Sequence, residues 1–139
     1  MGETTVELAE GMSFTGRGKS RHEVHMDASA KVGGSDSAAR PLEVMLCALG
    51  GCTGMDVVSI LRKMKTEPRS LRVEITDERA PDYPKVFTKL HLIYRVRGTV
   101  PQDNLNRAID LSLSKYCPIT NTLAGVVEIT SEGVVEPDP

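Results

Sequence analysis

The segment PLEVMLCALGGCTGMDVVSILRKMK, residues 41–65, is the longest apolar stretch of the chain. No charged residue falls between Val44 and Met55. A surface helix of a globular protein carries one polar face, whereas a helix that is apolar on all sides is buried. The segment therefore predicts a long central buried helix. Pro41 suits its first turn, and Pro68 prevents its continuation.

The predicted helix contains Cys52 in the sequence GGCTG, residues 50–54. Two glycines inside a helix cost about 1 kcal/mol each relative to Ala, so they indicate either a break or very close packing. A break at Gly50-Gly51 would place Cys52 at a helix start, where free N–H groups and the dipole favour a thiolate. A continuous helix would leave Cys52 about three turns in, as a small packing residue. The residues alone leave both interpretations open.

Asp56 lies four residues after Cys52 and therefore on the same helix face. A carboxylate there would raise the pKa of the thiol unless an arginine neutralises it. The other interpretation of Asp56 is a hydrogen bond from the helix to a neighbouring element. Cys47 faces away from Cys52, because five residues turn a helix by about 140°, and we predict that it packs. Cys117 follows a second predicted helix, and its distance from Cys52 in the chain does not reveal whether the two meet.

The composition is that of an ordinary globular protein of 139 residues, and we predict a single domain over residues 1–139. The net charge of −2 excludes a basic footprint for nucleic acid. The start of the chain lacks a secretory signal, and the three cysteines do not form a disulfide framework, so we expect a reducing, cytoplasmic location. Because Asp56 and three glycines interrupt the apolar run, we do not expect it to span a membrane. There is no Cys-x-x-Cys pair and the three histidines are scattered, so we expect no metal and no cofactor.

Alternating apolar residues and turn signals predict the elements around the central helix. The predicted elements, in order, are a strand at 4–13, a turn at 16–19, a strand at 21–27, the helix, a strand pair at 70–78 and 89–97, a helix at 102–116, a strand at 125–136 and a loose tail at 137–139. This β-β-α-β-β-α-β order predicts an α+β fold with antiparallel sheets. One short sheet cannot cover a helix that is apolar on all sides, so we expect a second subunit to supply a second sheet.

The arrangement Pro41-Leu42-Glu43, then Gly50-Gly51-Cys52, then a long helix and finally Tyr116-Cys117-Pro118 resembles the OsmC/Ohr family of thiol-dependent peroxidases. It is most similar to the OsmC-like branch with Gly-Gly-Cys and a DVVSIL helix, here residues 56–61. The resemblance extends from the first hairpin to the last strand. It implies an OsmC-like fold, in which an intertwined homodimer wraps two central helices in two sheets and places the active sites at the subunit interface.

The resemblance also implies a chemistry, namely the reduction of organic hydroperoxides in defence against oxidative stress. Cys52 matches the peroxidatic cysteine of the family and Cys117 matches the resolving cysteine. The implied cycle passes through a Cys52 sulfenic acid and a disulfide, which a lipoyl-type dithiol reduces.

The family also stabilises its thiolate with an arginine near the first hairpin turn and with a glutamate, for which Arg17 or Arg21 and Glu43 are the candidates here. Leu42 stands where the peroxidase members carry that glutamate, and Glu43 follows one residue later. The alternative function is a non-catalytic OsmC-like protein that binds a small apolar ligand at the dimer interface. Leu42, and Asp56 beside the thiol, motivate that alternative.

Overall fold

The computed structural model describes residues 2–137, so the last two residues of the predicted loose tail lie outside the described part. The chain divides into two compact units, Met1–Cys47 and Ala48–Pro139. Its elements confirm the predicted α+β class. They are β1 (Thr5–Leu8), β2 (Phe14–Arg17), β3 (Glu23–Met26), α1 (Pro41–Lys63), β4 (Ser70–Arg79), β5 (Phe87–Arg97), α2 (Gln102–Leu111), α3 (Pro118–Leu123) and β6 (Glu128–Glu136), with a 3₁₀ turn at Ala30–Val32 and a π-helical turn at Ser112–Tyr116.

The first unit holds an antiparallel sheet of order β1-β2-β3. The sequence predicted two strands in this region, and the structure has three. The single strand expected at 4–13 is wrong, because the chain turns at Gly11, whose φ of 59° lies in the left-handed region that glycine tolerates. The Ala9 N–H donates to the Ser13 carbonyl at 2.9 Å across this turn. The turn predicted at residues 16–19 therefore lies later in the chain, between the end of β2 at Arg17 and the start of β3 at Glu23. In this turn the Arg21 N–H donates to the Gly18 carbonyl at 3.0 Å.

The strand register gives this first sheet one apolar and one polar face. Because side chains alternate along each strand, the apolar face carries Val6, Leu8, Phe14, Val24 and Met26. Four of these five are exposed, Leu8 by 60%. This face is therefore an uncovered apolar surface.

The second unit holds a sheet of order β4-β5-β6. The predicted antiparallel pairing of β4 with β5 is confirmed. β6 runs parallel to β5, so the expectation of wholly antiparallel sheets is wrong. The reason is that α2 and α3 lie between β5 and β6 and carry the chain back to the starting end of the sheet, as a parallel connection requires.

The C-terminal part of α1 lies on the inner face of this sheet. Leu49, Val57 and Leu61 are fully buried on α1, and the strand residues Leu90, Leu92, Tyr94 and Val96 are fully buried on β5. Only 22% of the most apolar stretch of α1 is buried within the chain. Burial of the helix on all sides, as predicted from its composition, is therefore not reached by a single chain.

α1 is long and apolar enough to cross a membrane, although core helices of soluble proteins meet the same criteria of length and composition. Its Asp56 accepts a hydrogen bond from Ser112 at 2.9 Å. Its buried face contacts a sheet, as a core helix does.

Candidate active site

Cys52 lies inside α1, which continues through Gly50-Gly51 without a break. The continuous-helix interpretation is therefore the correct one, and the helix dipole does little for this thiol. Close packing explains one of the two glycines, because a Cβ at Gly50 would lie 3.2 Å from the Cδ1 atom of Ile75 on β4, whereas Gly51 faces open space. The close partner of the helix is thus a strand.

Cys117 lies at the start of α3 and is fully buried. The π-helical turn before it widens the helix, and the Cys117 N–H donates to the Ser112 carbonyl at 2.8 Å, five residues back. Such turns are rare and are frequent at functional sites. Pro118 then requires an extended backbone at Cys117, which has φ −77° and ψ 107°. The Thr120 N–H donates to the Cys117 sulfur at 3.4 Å and so helps to fix it.

Cys117 acts directly on Cys52, although 65 residues separate them in the chain. Cys117 and the Ile119 N–H are both among the groups that shift the pKa of the Cys52 thiol. Cys52 is half-buried and both cysteines are free thiols.

The surroundings of Cys52 raise the pKa of its thiol. The largest cause is burial, followed by the contact with Cys117, and the negative charge of Asp56 adds to it. The hydrogen bond from the Ile119 N–H acts in the opposite direction, because it stabilises the thiolate. Cys52 is thus held as a neutral thiol by the groups that surround it in this unit.

A chain of hydrogen-bonded side chains ends beside the thiol pair. We call it the hydroxyl chain, and its members are Tyr94, Thr53, Ser112 and Asp56. The Thr53 Oγ1 atom lies 2.8 Å from the Tyr94 hydroxyl and 2.6 Å from the Ser112 Oγ atom. Ser112 Oγ donates to Asp56 Oδ2 at 2.9 Å. Tyr94, Thr53 and Ser112 are all fully buried. The chain thus connects β5, α1 and the π-helical turn.

Sequence reasoning missed Tyr94, Thr53 and Ser112. One signal was present, because Tyr94 belongs to the inward-facing residues of β5 and a buried tyrosine hydroxyl needs a partner. Nothing in the sequence identifies that partner. For Asp56, the predicted hydrogen bond to another element and the predicted electrostatic effect on Cys52 both occur.

The candidate thiolate-stabilising residues lie in the first unit. The Arg17 guanidinium forms an ion pair with Glu23 at 2.9 Å between neighbouring strands. Arg21 lies in the turn between β2 and β3, with φ at 68°. Glu43 accepts a hydrogen bond from the Arg40 N–H at 3.2 Å, which caps the start of α1. Their role at the thiol stays a prediction.

Cys47 is exposed on α1, so the prediction that it packs is not met within the single chain. Among residues 2–137, no group of three or more histidine, cysteine, aspartate or glutamate side chains is arranged to hold a metal ion.

Comparison with known proteins gives matches over most of the chain. A family model described as "OsmC-like protein" matches residues 34–132. Protein YhfA of Escherichia coli K12 is 37% identical over 129 residues, which cover 92% of this chain and 93% of YhfA.

Solved structures are similar over nearly the full length. An OsmC-like protein from Mycoplasma pneumoniae aligns with a TM-score of 0.81 at 21% identity, covering 96% of this chain and 95% of that protein. A Legionella pneumophila protein, titled an organic hydroperoxide resistance protein OsmC, aligns with a TM-score of 0.69 at 12% identity, covering 97% of each. At these identities the likeness is one of fold, and the predicted fold is confirmed.

Proposed function

The chain belongs to the OsmC-like family, and from this premise we propose that it is a thiol peroxidase that reduces organic hydroperoxides, with Cys52 as the peroxidatic and Cys117 as the resolving cysteine. The observation that carries the proposal is the contact between these two thiols. Two neighbouring free cysteines, one half-buried and one buried, suit a cycle that ends in an internal disulfide. Neighbours of the same fold named for organic hydroperoxide resistance support the choice of substrate class.

The proposed cycle balances with one hydroperoxide and one dithiol per turnover. The Cys52 thiolate attacks the terminal peroxide oxygen, so that an S–O bond forms, the O–O bond breaks and the leaving alkoxide takes a proton to become an alcohol. The Cys117 thiol then attacks the sulfur of the sulfenic acid, which forms the disulfide and releases water. An external dithiol, of the lipoyl type by family resemblance, reduces the disulfide and is itself oxidised.

The thiolate needs positive charge nearby, because burial and Asp56 raise the pKa of Cys52. Arg17 and Arg21, with Glu43 as an acidic partner, are the candidates that the resemblance supplies. A guanidinium beside the sulfur would favour the thiolate and lower that pKa.

We also propose that the protein works as a homodimer. Two apolar surfaces lack cover in one chain, namely the apolar face of β1-β2-β3 and the outer side of α1, where Met55 is 75% exposed. A single protein rarely leaves large apolar patches in contact with water. A second copy offers a matching apolar surface for each of them.

Turnover of cumene hydroperoxide with dihydrolipoamide, in the native protein and three cysteine variants, tests the function. We expect Cys52→Ser to reduce the rate to the uncatalysed level, because the nucleophile is lost. Cys117→Ser should give one rapid turnover and then stall, since no internal disulfide can form. Cys47→Ser is the matched control, because this exposed thiol lies outside the site, and it should turn over like the native protein. Equal rates in native protein and Cys52→Ser would refute the proposal.

A second candidate function is the binding of a small apolar ligand without catalysis. A cavity of about 440 Å³ in the first unit favours it, lined by Val6, Met12, Phe14, Met26 and neighbouring residues. Its volume is within the range of small-molecule sites. A native protein without turnover, whose Cys52 also resists iodoacetamide at neutral pH, would favour this candidate over the peroxidase.

A further inference from the structure

The Asp56 carboxylate, at one end of the hydroxyl chain, determines which group donates in each of the chain's hydrogen bonds. An ionised carboxylate can only accept, so Ser112 must use its one hydroxyl proton on Asp56. Ser112 therefore accepts from Thr53, and Thr53, having used its own proton, accepts from Tyr94. The chain thus runs as Tyr94 to Thr53 to Ser112 to Asp56, with each hydroxyl donating towards the carboxylate.

Two further features keep this order in place. Burial raises the pKa of the Tyr94 phenol to about 12, so Tyr94 remains a donor at any pH the protein meets. Among residues 2–137, every buried side-chain nitrogen or oxygen has a hydrogen-bond partner, so the chain holds no competing unsatisfied group. Aligned hydrogen bonds in a dry interior strengthen one another. The result is a carboxylate that the Ser112 hydroxyl holds in a fixed orientation.

Asp56 projects from the same face of α1 as Cys52, one helical turn later. It acts on the thiol through its charge, whereas Cys117 acts by direct hydrogen bonding. The groups that face Cys52 in this unit are therefore Cys117 from the start of α3, Asp56 from α1 and the Ile119 N–H, with Tyr94 of β5 behind Thr53. The two ionisable side chains that act on Cys52, Cys117 and Asp56, carry negative charge or none, and both disfavour a thiolate.

We propose that Asp56 is a positioning residue of the thiol pair: oriented by the hydroxyl chain one helical turn after Cys52, its carboxylate disfavours the Cys52 thiolate and keeps Cys52 as a thiol beside Cys117. The resting pair is thereby protected from oxidants that react only with free thiolate. Activation then requires positive charge at the site, because Asp56 must be offset before Cys52 can ionise. This inference rests on the proposed function for its biological meaning, although its test does not use hydroperoxide turnover.

The rate of Cys52 alkylation by iodoacetamide as a function of pH tests the proposal, with the modified peptide quantified by mass spectrometry. The series runs from about pH 7 to about pH 11, well above an ordinary thiol pKa, because the pKa of Cys52 is raised. We expect Asp56→Asn, which keeps the shape and an acceptor for Ser112, to move the midpoint to lower pH. A shift of about one pH unit gives tenfold more thiolate and roughly threefold faster alkylation at pH 7, because nucleophilicity falls with the pKa. Asp103→Asn, the same change at an exposed acid of α2, should leave the profile unchanged.

A profile of Asp56→Asn that superimposes on the native one would overturn the proposal. If the variant fails to fold, the native protein gives the answer, since the ¹³C resonance of the Asp56 carboxyl should shift at the pH where Cys52 titrates. A carboxyl resonance that does not respond to Cys52 would equally overturn it. If the Asp56→Asn profile is shifted but the native protein does not turn over hydroperoxide, the role of Asp56 is supported and only the peroxidase function is refuted. If the native protein turns over hydroperoxide but the profile is not shifted, only the role of Asp56 is refuted.

Discussion

At the scale of single residues, Asp27 organises the loop that leads into α1. Its carboxylate is 3% exposed and accepts four hydrogen bonds, from the Ala28 N–H, the Ser35 N–H, and both the N–H and the hydroxyl of Ser37, the last at 2.6 Å. The loop closes so tightly that a Cβ at Gly34 would overlap the Ala28 carbonyl. Sequence reasoning treated this acid only as the end of a strand, because alternation does not report the backbone donors of a distant loop.

These donors hold the pKa of Asp27 well below its ordinary value of 3.8, with the Ser37 hydroxyl as the largest cause. A carboxylate whose pKa is lowered by folding contributes stability above its unfolded pKa and loses it as the pH falls. We therefore expect Asp27→Asn to lower the urea midpoint at pH 7 and to flatten the loss of stability below about pH 4. Urea unfolding at a series of pH values measures this. Asp82→Asn, at an exposed turn, is the control, and an acid limb as steep as that of the native protein would contradict the expectation.

At the scale of elements, glycine decides how closely a helix approaches a strand. α2 lies on β6 at Gly133, where a Cβ would come within 2.8 Å of Ile109 Cδ1 and 2.9 Å of Leu105 Cδ2. Both side chains are buried, so neither can move aside freely.

We expect Gly133→Ala to reduce the free energy of unfolding by about 1–3 kcal/mol, which is typical of overpacking a filled core. Gly18→Ala adds the same methyl group where nothing lies within 4 Å, and its effect should stay within about 0.5 kcal/mol. Urea titration of both variants beside the native chain makes the comparison. Equal stabilities for the two variants would show that α2 and β6 are not packed as described.

At the scale of the whole molecule, the uncovered apolar surfaces decide the assembly. α1 is apolar around its circumference but buried along one face within the chain, and the sheet β1-β2-β3 exposes apolar side chains as well. The proposed homodimer would cover both of these surfaces. The two surfaces belong to separate compact units, each of which has its own sheet.

Met55→Glu tests this assembly, because Met55 is 75% exposed in the single chain and its replacement disturbs no contact of the folded unit. We expect sedimentation velocity to give a dimer for the native protein and a shift towards monomer for the variant, with an unchanged circular dichroism spectrum. Val126→Glu is the matched control, since Val126 is 79% exposed and lies outside α1. A native protein that sediments as a monomer at every concentration, or a dimer indifferent to Met55→Glu, would contradict the homodimer.

Much of this protein follows from its sequence alone. The apolar run placed α1 to within two residues at its end, alternation placed β4 and β5, and Pro118 marked the end of the helix before Cys117. The resemblance carried by Gly50-Gly51-Cys52 and Tyr116-Cys117-Pro118 identified the family, which the comparisons confirm. The element boundaries depend on local periodicity and on the conformational limits of proline and glycine, which neighbouring residues determine.

Only the tertiary structure decided the contacts between distant residues. Thr53 lies within hydrogen-bonding distance of Tyr94, 41 residues away in the chain, and of Ser112, 59 residues away. A π-helical turn, which no local sequence pattern predicts, precedes Cys117. The parallel pairing of β6 with β5 is of the same kind. Helical and strand periodicity determine which face of an element is apolar, but the partner of that face depends on how all the elements pack at once.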